Sequence, residues 1–261
     1  MKLICLNIWG GKIYEPLIKF VKEQSASTDI FCFQEVFRSP RNDIETSNGS
    51  RTRMLDELIA ALPDFNYVYH KDVGGFDTLG PVDFDLDVGQ AEFVKKKFPV
   101  IYSGEAKIYS DENNLPSGKY HFLPLTFGYI RTEHGGKPLT VINIHGLTSK
   151  PDNKLDTPER INQSRAIKKF ALEEKGNVII CGDFNVLPET ESIAMFNGIF
   201  TELIKKYGIA TTRSAISPWH GTPNEMKFSD YVFVSPGLEI TGFSVPDPEI
   251  SDHLPLIIEF R

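Results

Sequence analysis

The sequence predicts an α/β protein of two stacked sheets with helices on the outside. Apolar runs of strand length recur from one end to the other, only a few helical periodicities interrupt them, and no repeat, linker or shift of composition divides the chain. At about 150 residues per domain, 261 residues allow one domain or two, and the uniform composition argues for one, residues 1–261. Hydrophobic residues make up 41% and charged residues 24%, an ordinary globular balance that excludes disorder or a coiled coil as a description of the whole. A chain of this length buries about 70–75% of its unfolded surface, so it needs no disulfide support.

The elements follow in order. Residues 2–8 form a first strand that ends at Trp9-Gly10-Gly11. A helix over 15–23 places Pro16 in its first turn and Leu17, Ile18 and Val21 on one face. Ile30–Phe33 is a buried strand that runs into Gln34-Glu35. Residues 51–62 carry Met54, Leu55, Leu58, Ile59 and Leu62 at helical spacing, stopped by Pro63. Strands are expected at 65–70, 91–95, 100–109, 120–131, 139–145 and 177–182, with long loops at 71–90 and 110–119. Before the last of these strands comes a strong helix: Thr157 caps it, Pro158 fits its first position, and Gly176 ends it. Short helices near 190–197 and 200–207 and strands at 228–234, 238–244 and 254–260 complete the reading.

Charge and cysteine usage narrow the function classes. The net charge is −7, from 28 Lys plus Arg against 35 Asp plus Glu. This disfavours sequence-independent duplex binding, which rests on many phosphate contacts, although a local cationic site or a divalent metal can offset the average. Cys5, Cys32 and Cys181 are odd in number, widely spaced and set in apolar runs, which excludes a disulfide framework or zinc knuckle and predicts buried thiols in a reducing, cytoplasmic setting. No apolar run approaches the roughly 20 residues of a membrane span, and Met1–Leu6 reads as a strand rather than an export signal. No obligate protein partner is evident.

The functional signal is where polar residues stand. Asn7 is near the end of the first run, Glu35 follows the second, and His145 follows Val141–Ile144. Asp183 and Asn185 follow Val178–Gly182, Asp230 lies inside 228–234, and Asp252 and His253 stand at the mouth of the last strand. Any one of these has an ordinary reading as a turn, cap or solvated strand end. Strand ends gathered at one rim of a sandwich, however, can bring such a set together. Clustered carboxylate and amide oxygens suit Mg²⁺ or Mn²⁺, and no thiolate cage is offered to zinc.

The chain resembles the endonuclease/exonuclease/phosphatase superfamily of metal-dependent phosphoesterases. The resemblance is carried by Leu6-Asn7-Ile8-Trp9, Phe33-Gln34-Glu35-Val36, Asn143-Ile144-His145-Gly146, Gly182-Asp183-Phe184-Asn185, Asp230-Tyr231-Val232-Phe233 and Ser251-Asp252-His253, in family order over residues 6–253. It implies a four-layered α/β/β/α sandwich with two mainly antiparallel sheets and the site at one end of them. It implies Glu35 as principal metal carboxylate, aided by Asn7 and Asp252. It implies Asp183 as the group that orients or deprotonates the attacking water, and Asn185 as a contact to phosphate or nucleophile. It also implies that His253 contacts the phosphate with Asp230 as its orienting partner, and that His145 contacts it from the other side as donor or general acid.

Lesser candidates are Tyr109 and Arg131 as phosphate contacts, and Trp219, beside His220, as a stacking surface. Arg160 and Gln163 read as structural, and His70, His121, His134 and His220 as surface or loop residues. Val82–Val88 alternates apolar and acidic residues, the pattern of a strand or loop with one solvated face, while Arg38, Arg41, Arg51 and Arg53 and Lys95–Lys97 can balance it. The Val186-Leu187-Pro188 continuation and Phe228-Ser229-Asp230-Tyr231 count against inositol polyphosphate phosphatases. The expectation is a divalent-metal-dependent phosphodiesterase with nucleic acid as the leading substrate. The alternatives are a phosphatase or diesterase of a small phosphorylated metabolite or phospholipid head group, and a catalytically silent binding protein.

Overall fold

In the computed structural model, which describes residues 1–108, 120–122, 124–149 and 153–261, β-branched and aromatic runs pair into two six-stranded sheets. The strands are β1 Lys2–Asn7, β2 Ile30–Arg38, β3 Thr46–Ser47, β4 Ser50–Arg51, β5 Phe65–Gly74, β6 Asp87–Lys95, β7 Tyr102–Lys107 and β8 Tyr120–Phe122. They continue as β9 Thr126–His134, β10 Lys137–His145, β11 Thr148–Ser149, β12 Asn177–Asp183, β13 Thr201–Glu202, β14 Asp230–Val234, β15 Ile240–Ser244 and β16 Leu256–Phe260. The helices are α1 Tyr14–Ser25, α2 Met54–Ala61, α3 Pro158–Glu173, α4 Glu191–Ala194 and α5 Leu203–Lys206.

The first sheet has the order β15-β16-β1-β2-β6-β5 and the second β13-β14-β12-β10-β9-β7. Each holds one parallel pair at its centre, β1 with β2 and β10 with β12, and is antiparallel elsewhere. A parallel pair needs a crossover, and α1 and α3 supply them. The carboxyl ends of β1, β10 and β12 and the bulge of β2 meet at the same end of the molecule, where Asn7, Glu35, His145 and Asp183 stand.

Strand alternation sorts the layers. Leu3 and Cys5 pack toward the second sheet with Val141, Ile179 and Cys181, whereas Ile4 and Leu6 pack outward with Leu17 and Val21 of α1 and Leu55 and Leu58 of α2. On the far side, Ile167 and Ala171 of α3 cover the second sheet. The result is the expected order of helix, sheet, sheet and helix. Asn7 continues the inward series Leu3, Cys5, so the first polar residue of that face lies where the apolar sandwich ends.

Polar side chains bridge the sheets just below the site. Gln34 donates to Asn143 Oδ1 at 2.5 Å, and Asn143 donates to Glu92 Oε1 at 2.8 Å. His70 lies 3.2 Å from Glu92 and 3.4 Å from Glu105. His70 is 5% exposed, so the expectation of a surface histidine is corrected: it fills the space over Gly128, where a Cβ would come within 2.4 Å of its ring. The three thiols are buried and free.

Several boundaries differ from the sequence reading, and β2 runs past the expected Phe33 to Arg38. The expected loop 71–90 is shortened at both ends, because β5 runs to Gly74 and β6 starts at Asp87. The expected strand 120–131 begins its main pairing at Thr126. No helix among the described residues is long and apolar enough to cross a membrane.

Candidate active site

Asn7 Nδ2 donates to Glu35 Oε1 at 3.1 Å and to Asp183 Oδ2 at 3.2 Å, joining the two sheets through one amide. Its Oδ1 accepts from the Trp9 amide at 3.0 Å, which fixes the orientation of the side chain. Glu35 sits in a bulge of β2, between Phe33 and Val36, with φ +56°. That left-handed conformation is strained for a glutamate and turns its carboxylate toward the pit. Glu35 Oε2 is buried and has no hydrogen-bond partner.

Asp183 ends β12 directly beside His145 of β10 and opposite Asp230 of β14. Close approach of the backbones makes this possible. A Cβ on Gly182 would lie 2.0 Å from the Ile144 carbonyl oxygen, and one on Gly146 would lie 2.3 Å from that of Phe184. Burial opposes the charge on Asp183, but His253, Lys154, His145 and Arg213 around it hold its carboxyl well below the usual range. Asn185, at φ +55°, donates from its backbone to Asp183 Oδ1 at 2.9 Å. Its side chain ties the loop after β12 to the one after β10 through Gly146 O at 3.1 Å, and Lys154 Nζ donates to its Oδ1 at 3.0 Å.

His253 Nδ1 lies 2.9 Å from both oxygens of Asp230, and its Nε2 lies 3.6 Å from Asp183. Ligand atoms of Asp183, Asp230 and His253 all fall within 4.8 Å of one another. Because the Asp230 carboxylate is engaged by His253, Asp230 acts as a partner of the ring rather than as a free ligand. Burial and the Arg213 charge push the His253 pKa down, yet Asp230, Asp252 and Asp183 outweigh them and raise it above the ordinary value.

Two groups at the site carry no signal in the sequence. Asp72 of β5 lies 3.4 Å from His145 Nδ1 and accepts from Gln90 Nε2 at 2.8 Å. Burial pushes its pKa up, against the pull of His145. Burial opposes the charge on His145 in turn, but Asp72, Glu35 and Asp183 raise its pKa. Each pit histidine thus has a buried carboxylate behind it. Arg213 donates from Nη2 to Asp252 Oδ2 at 2.5 Å, and its Nη1 contacts His253 Nε2. Asp72 lies in a stretch that reads as loop, and Arg213 follows no apolar run.

Glu35, Asp183, Asn185, Arg213, Asp252 and His253 line a cavity of about 690 Å³ together with a wall segment of Ser217, Trp219, His220, Asn224, Glu225 and Met226, while Asn7, Asp72, His145 and Asp230 stand behind the lining residues and hold them through the contacts above. Arg131 is not among its lining residues, and the expectation of a phosphate contact there is corrected. Its guanidinium forms a two-pronged pair with Glu174 at 2.6 and 2.7 Å and covers Tyr102 and Tyr129. Tyr109 lies outside the described residues. The arginines beyond Glu35 are each engaged by acids: Arg38 with Asp87, Arg41 with Asp43, Arg51 with Glu45 and Glu57, and Arg53 with Asp56. Arg160 and Gln163 are structural, as expected. The Arg160 guanidinium donates to Leu155 O and Leu147 O, and Gln163 Oε1 accepts from Leu147 N.

A sequence model described as the Endonuclease/Exonuclease/phosphatase family matches residues 4–253. Among curated proteins, a UPF0294 protein of Vibrio campbellii is 26% identical over 130 residues, 48% of this chain and 40% of that protein. A second, from Vibrio parahaemolyticus, is 27% identical over 126 residues, with 48% and 41% covered. The match therefore spans about two fifths of these relatives' length. Solved structures cover all of this chain. A mannosyl-6-phosphatase of Bacteroides thetaiotaomicron has TM-score 0.69 and 19% identity, with 99% of it covered. An endonuclease/exonuclease/phosphatase family protein of Leptotrichia buccalis has TM-score 0.71 and 14% identity, with 99% covered. TDP2 of D. rerio, complexed with single-strand DNA product, has TM-score 0.72 and 13% identity, with 98% covered. At these identities the likeness establishes a shared fold.

Proposed function

Because the chain belongs to the endonuclease/exonuclease/phosphatase family, we propose that it is a divalent-metal-dependent phosphoester hydrolase acting through an activated water. The observation that carries this reading is the single hydrogen-bonded set at the pit, Glu35–Asn7–Asp183 with the His253–Asp230 pair beside it, drawn from strands of both sheets. A catalytically silent scaffold would have no need to hold Glu35 in a left-handed backbone conformation.

The donor set fits Mg²⁺ or Mn²⁺. Glu35 Oε2 is a buried carboxylate oxygen without a hydrogen-bond partner, Asp252 offers a second carboxylate, and the thiols lie in the apolar core. Glu35 and Asp252 would hold the ion, which supplies charge against the extra negative charge of the phosphorane-like transition state and lowers the pKa of bound water; Asn7, whose oxygen is taken by the Trp9 amide, orients Glu35 and Asp183 through Nδ2 rather than ligating. Asp183 stays ionised by virtue of its cationic neighbours and accepts the proton of, or aims, the attacking water. Asn7 and the Asn185 amide hold the Asp183 carboxylate in place. Asp230 fixes the His253 ring, whose Nε2 stands at the pit beside Arg213 Nη1 and Asp183, so that imidazole and guanidinium together offer donors to a phosphate. Asp72 does the same for His145, which donates to a phosphate oxygen or to the leaving group. Lys154 and Arg213 add positive charge at the same end.

Of the substrate classes open to the sequence, the smaller phosphate esters gain support. The cavity of about 690 Å³ among the described residues is of small-molecule size, and the arginines that could have tracked a nucleic-acid backbone are paired with carboxylates. The three free thiols support a reducing, cytoplasmic setting. The test is hydrolysis of para-nitrophenyl phosphate and its bis ester after EDTA treatment, with and without Mg²⁺ or Mn²⁺. Turnover is expected only with metal, and turnover that persists without it overturns the reading.

A further inference from the structure

We propose that the segment 214–226 is the leaving-group subsite of this pit, with Trp219 as its platform, and that it selects a neutral hydroxylated ring, a sugar, carrying a single phosphate. This rests on the hydrolase reading above and names what the far wall recognises.

The wall is built rather than loose. The Asp247 carboxylate accepts from Ser214 Oγ at 2.7 Å and from the Ala215 amide at 3.0 Å, anchoring the start of the segment. Successive turns follow, from Ser217 N to Ser214 O at 3.1 Å and from His220 N to Ser217 O at 2.9 Å. Thr222 Oγ1 then donates to Trp219 O at 2.7 Å. These bonds fix the backbone of Trp219, yet its side chain supports no core, because the residue is 55% exposed and lines the cavity. An indole held open on the wall of a pit gains by being covered, and the C–H face of a sugar ring is a matching surface.

Around it stand groups that suit hydroxyls. His220 Nδ1 and Glu225 Oε1 are 2.9 Å apart, so the pair is already oriented, and Asn224 offers both a donor and an acceptor. Hydroxyls donate and accept, whereas phosphate oxygens near neutral pH mainly accept. The charge is divided accordingly. Among the described lining residues, the Lys and Arg side chains are Lys154 and Arg213, and both sit at the catalytic end, on Asn185 and on Asp252. The Trp219 wall instead carries Glu225. A polynucleotide would bring its next phosphate against that carboxylate, whereas a sugar brings hydroxyls.

The experiment uses the whole chain with Mg²⁺ and compares a panel of hexose phosphates, methyl phosphate and a single-stranded DNA oligonucleotide. It is run on the unaltered protein, Trp219→Ala and Glu225→Gln, with far-ultraviolet circular dichroism as the check on folding. At least one hexose phosphate should be preferred over the oligonucleotide in kcat/KM. Trp219→Ala should raise its KM by about tenfold with kcat held within about threefold, and methyl phosphate, which has no ring to stack, should be unaffected. Binding is read separately, by isothermal titration calorimetry of the hexose phosphates without added Mg²⁺: at least one should bind the unaltered protein, and its Kd should rise by about tenfold in Trp219→Ala. Equal or better use of the oligonucleotide, or Trp219→Ala kinetics like those of the unaltered protein, overturns the proposal. If no ester is hydrolysed, the hydrolase reading fails, while the calorimetric titration still decides the subsite: hexose phosphate binding weakened in Trp219→Ala supports it, and no binding, or equal binding by both proteins, overturns it.

Discussion

Asp183 shows how much one residue depends on its surroundings. It is buried and still ionised because cationic groups from both sheets and from the loops face it. Asp183→Asn keeps the shape and removes the proton acceptor, so kcat on para-nitrophenyl phosphate should fall by about 10²–10⁴-fold with unchanged circular dichroism. Near-normal turnover would remove Asp183 from the mechanism. Asp183 is legible in the sequence because it ends an apolar run inside Gly182-Asp183-Phe184-Asn185. Asp72 is not, since a buried carboxylate behind a histidine needs only to be near it in space. The family resemblance carries the residues of local motifs, whereas Asp72 and Arg213 enter by packing alone.

Elements position these residues through a few local choices. Thr157 caps α3, accepting from the Arg160 amide at 3.3 Å, and α3 in turn holds Arg160 and Gln163 under the loop after β10. Thr157→Ala should destabilise the protein by about 1 kcal/mol, read as a lowered midpoint in urea, and a midpoint that does not move would deny the cap its role. Gly182 matters more to function. With φ +142° and the Ile144 carbonyl in the way of any Cβ, Gly182→Ala should cost about 1–3 kcal/mol and also lower kcat, because Asp183 follows it on β12. Retained stability together with retained activity would contradict that geometry. The helix α3 and the central strands are foreseen from caps and apolar runs. The β5–β6 ends are not, because the residues between 71 and 90 are rich in Gly and Asp, and it is pairing with each other that extends these strands.

At the scale of the molecule, two linkages tie the sheets to solution conditions. Burial pushes His70 toward neutrality, but Glu92 and Glu105 outweigh it and raise its pKa above the ordinary value of 6.5. With the folded pKa above the unfolded one, this stabilisation is complete below about pH 6.5 and is lost as pH rises through the folded value. His70→Gln should therefore narrow the stability gap between pH 6 and pH 8, measured by urea denaturation, and an unchanged gap would rule His70 out as its source. The second linkage is to metal. At about a hundred times its Kd, Mg²⁺ should stabilise the fold by about 2.7 kcal/mol, a rise of several degrees in Tm. Glu35→Gln should abolish most of that rise, and a full rise in the variant would place the ion elsewhere.

The sequence by itself determined the α/β class, the order of elements and the set of strand-end residues, because apolar periodicity, caps and glycine placement act locally. Only the tertiary structure decided that two parallel pairs from different sheets meet at one rim, that Asp72 stands behind His145, that Arg131 turns to Glu174, and that Trp219 lines the same cavity as Asp183 and His253. Those outcomes depend on which surfaces pack together, and packing is a relation between residues too distant along the chain for local patterns to encode.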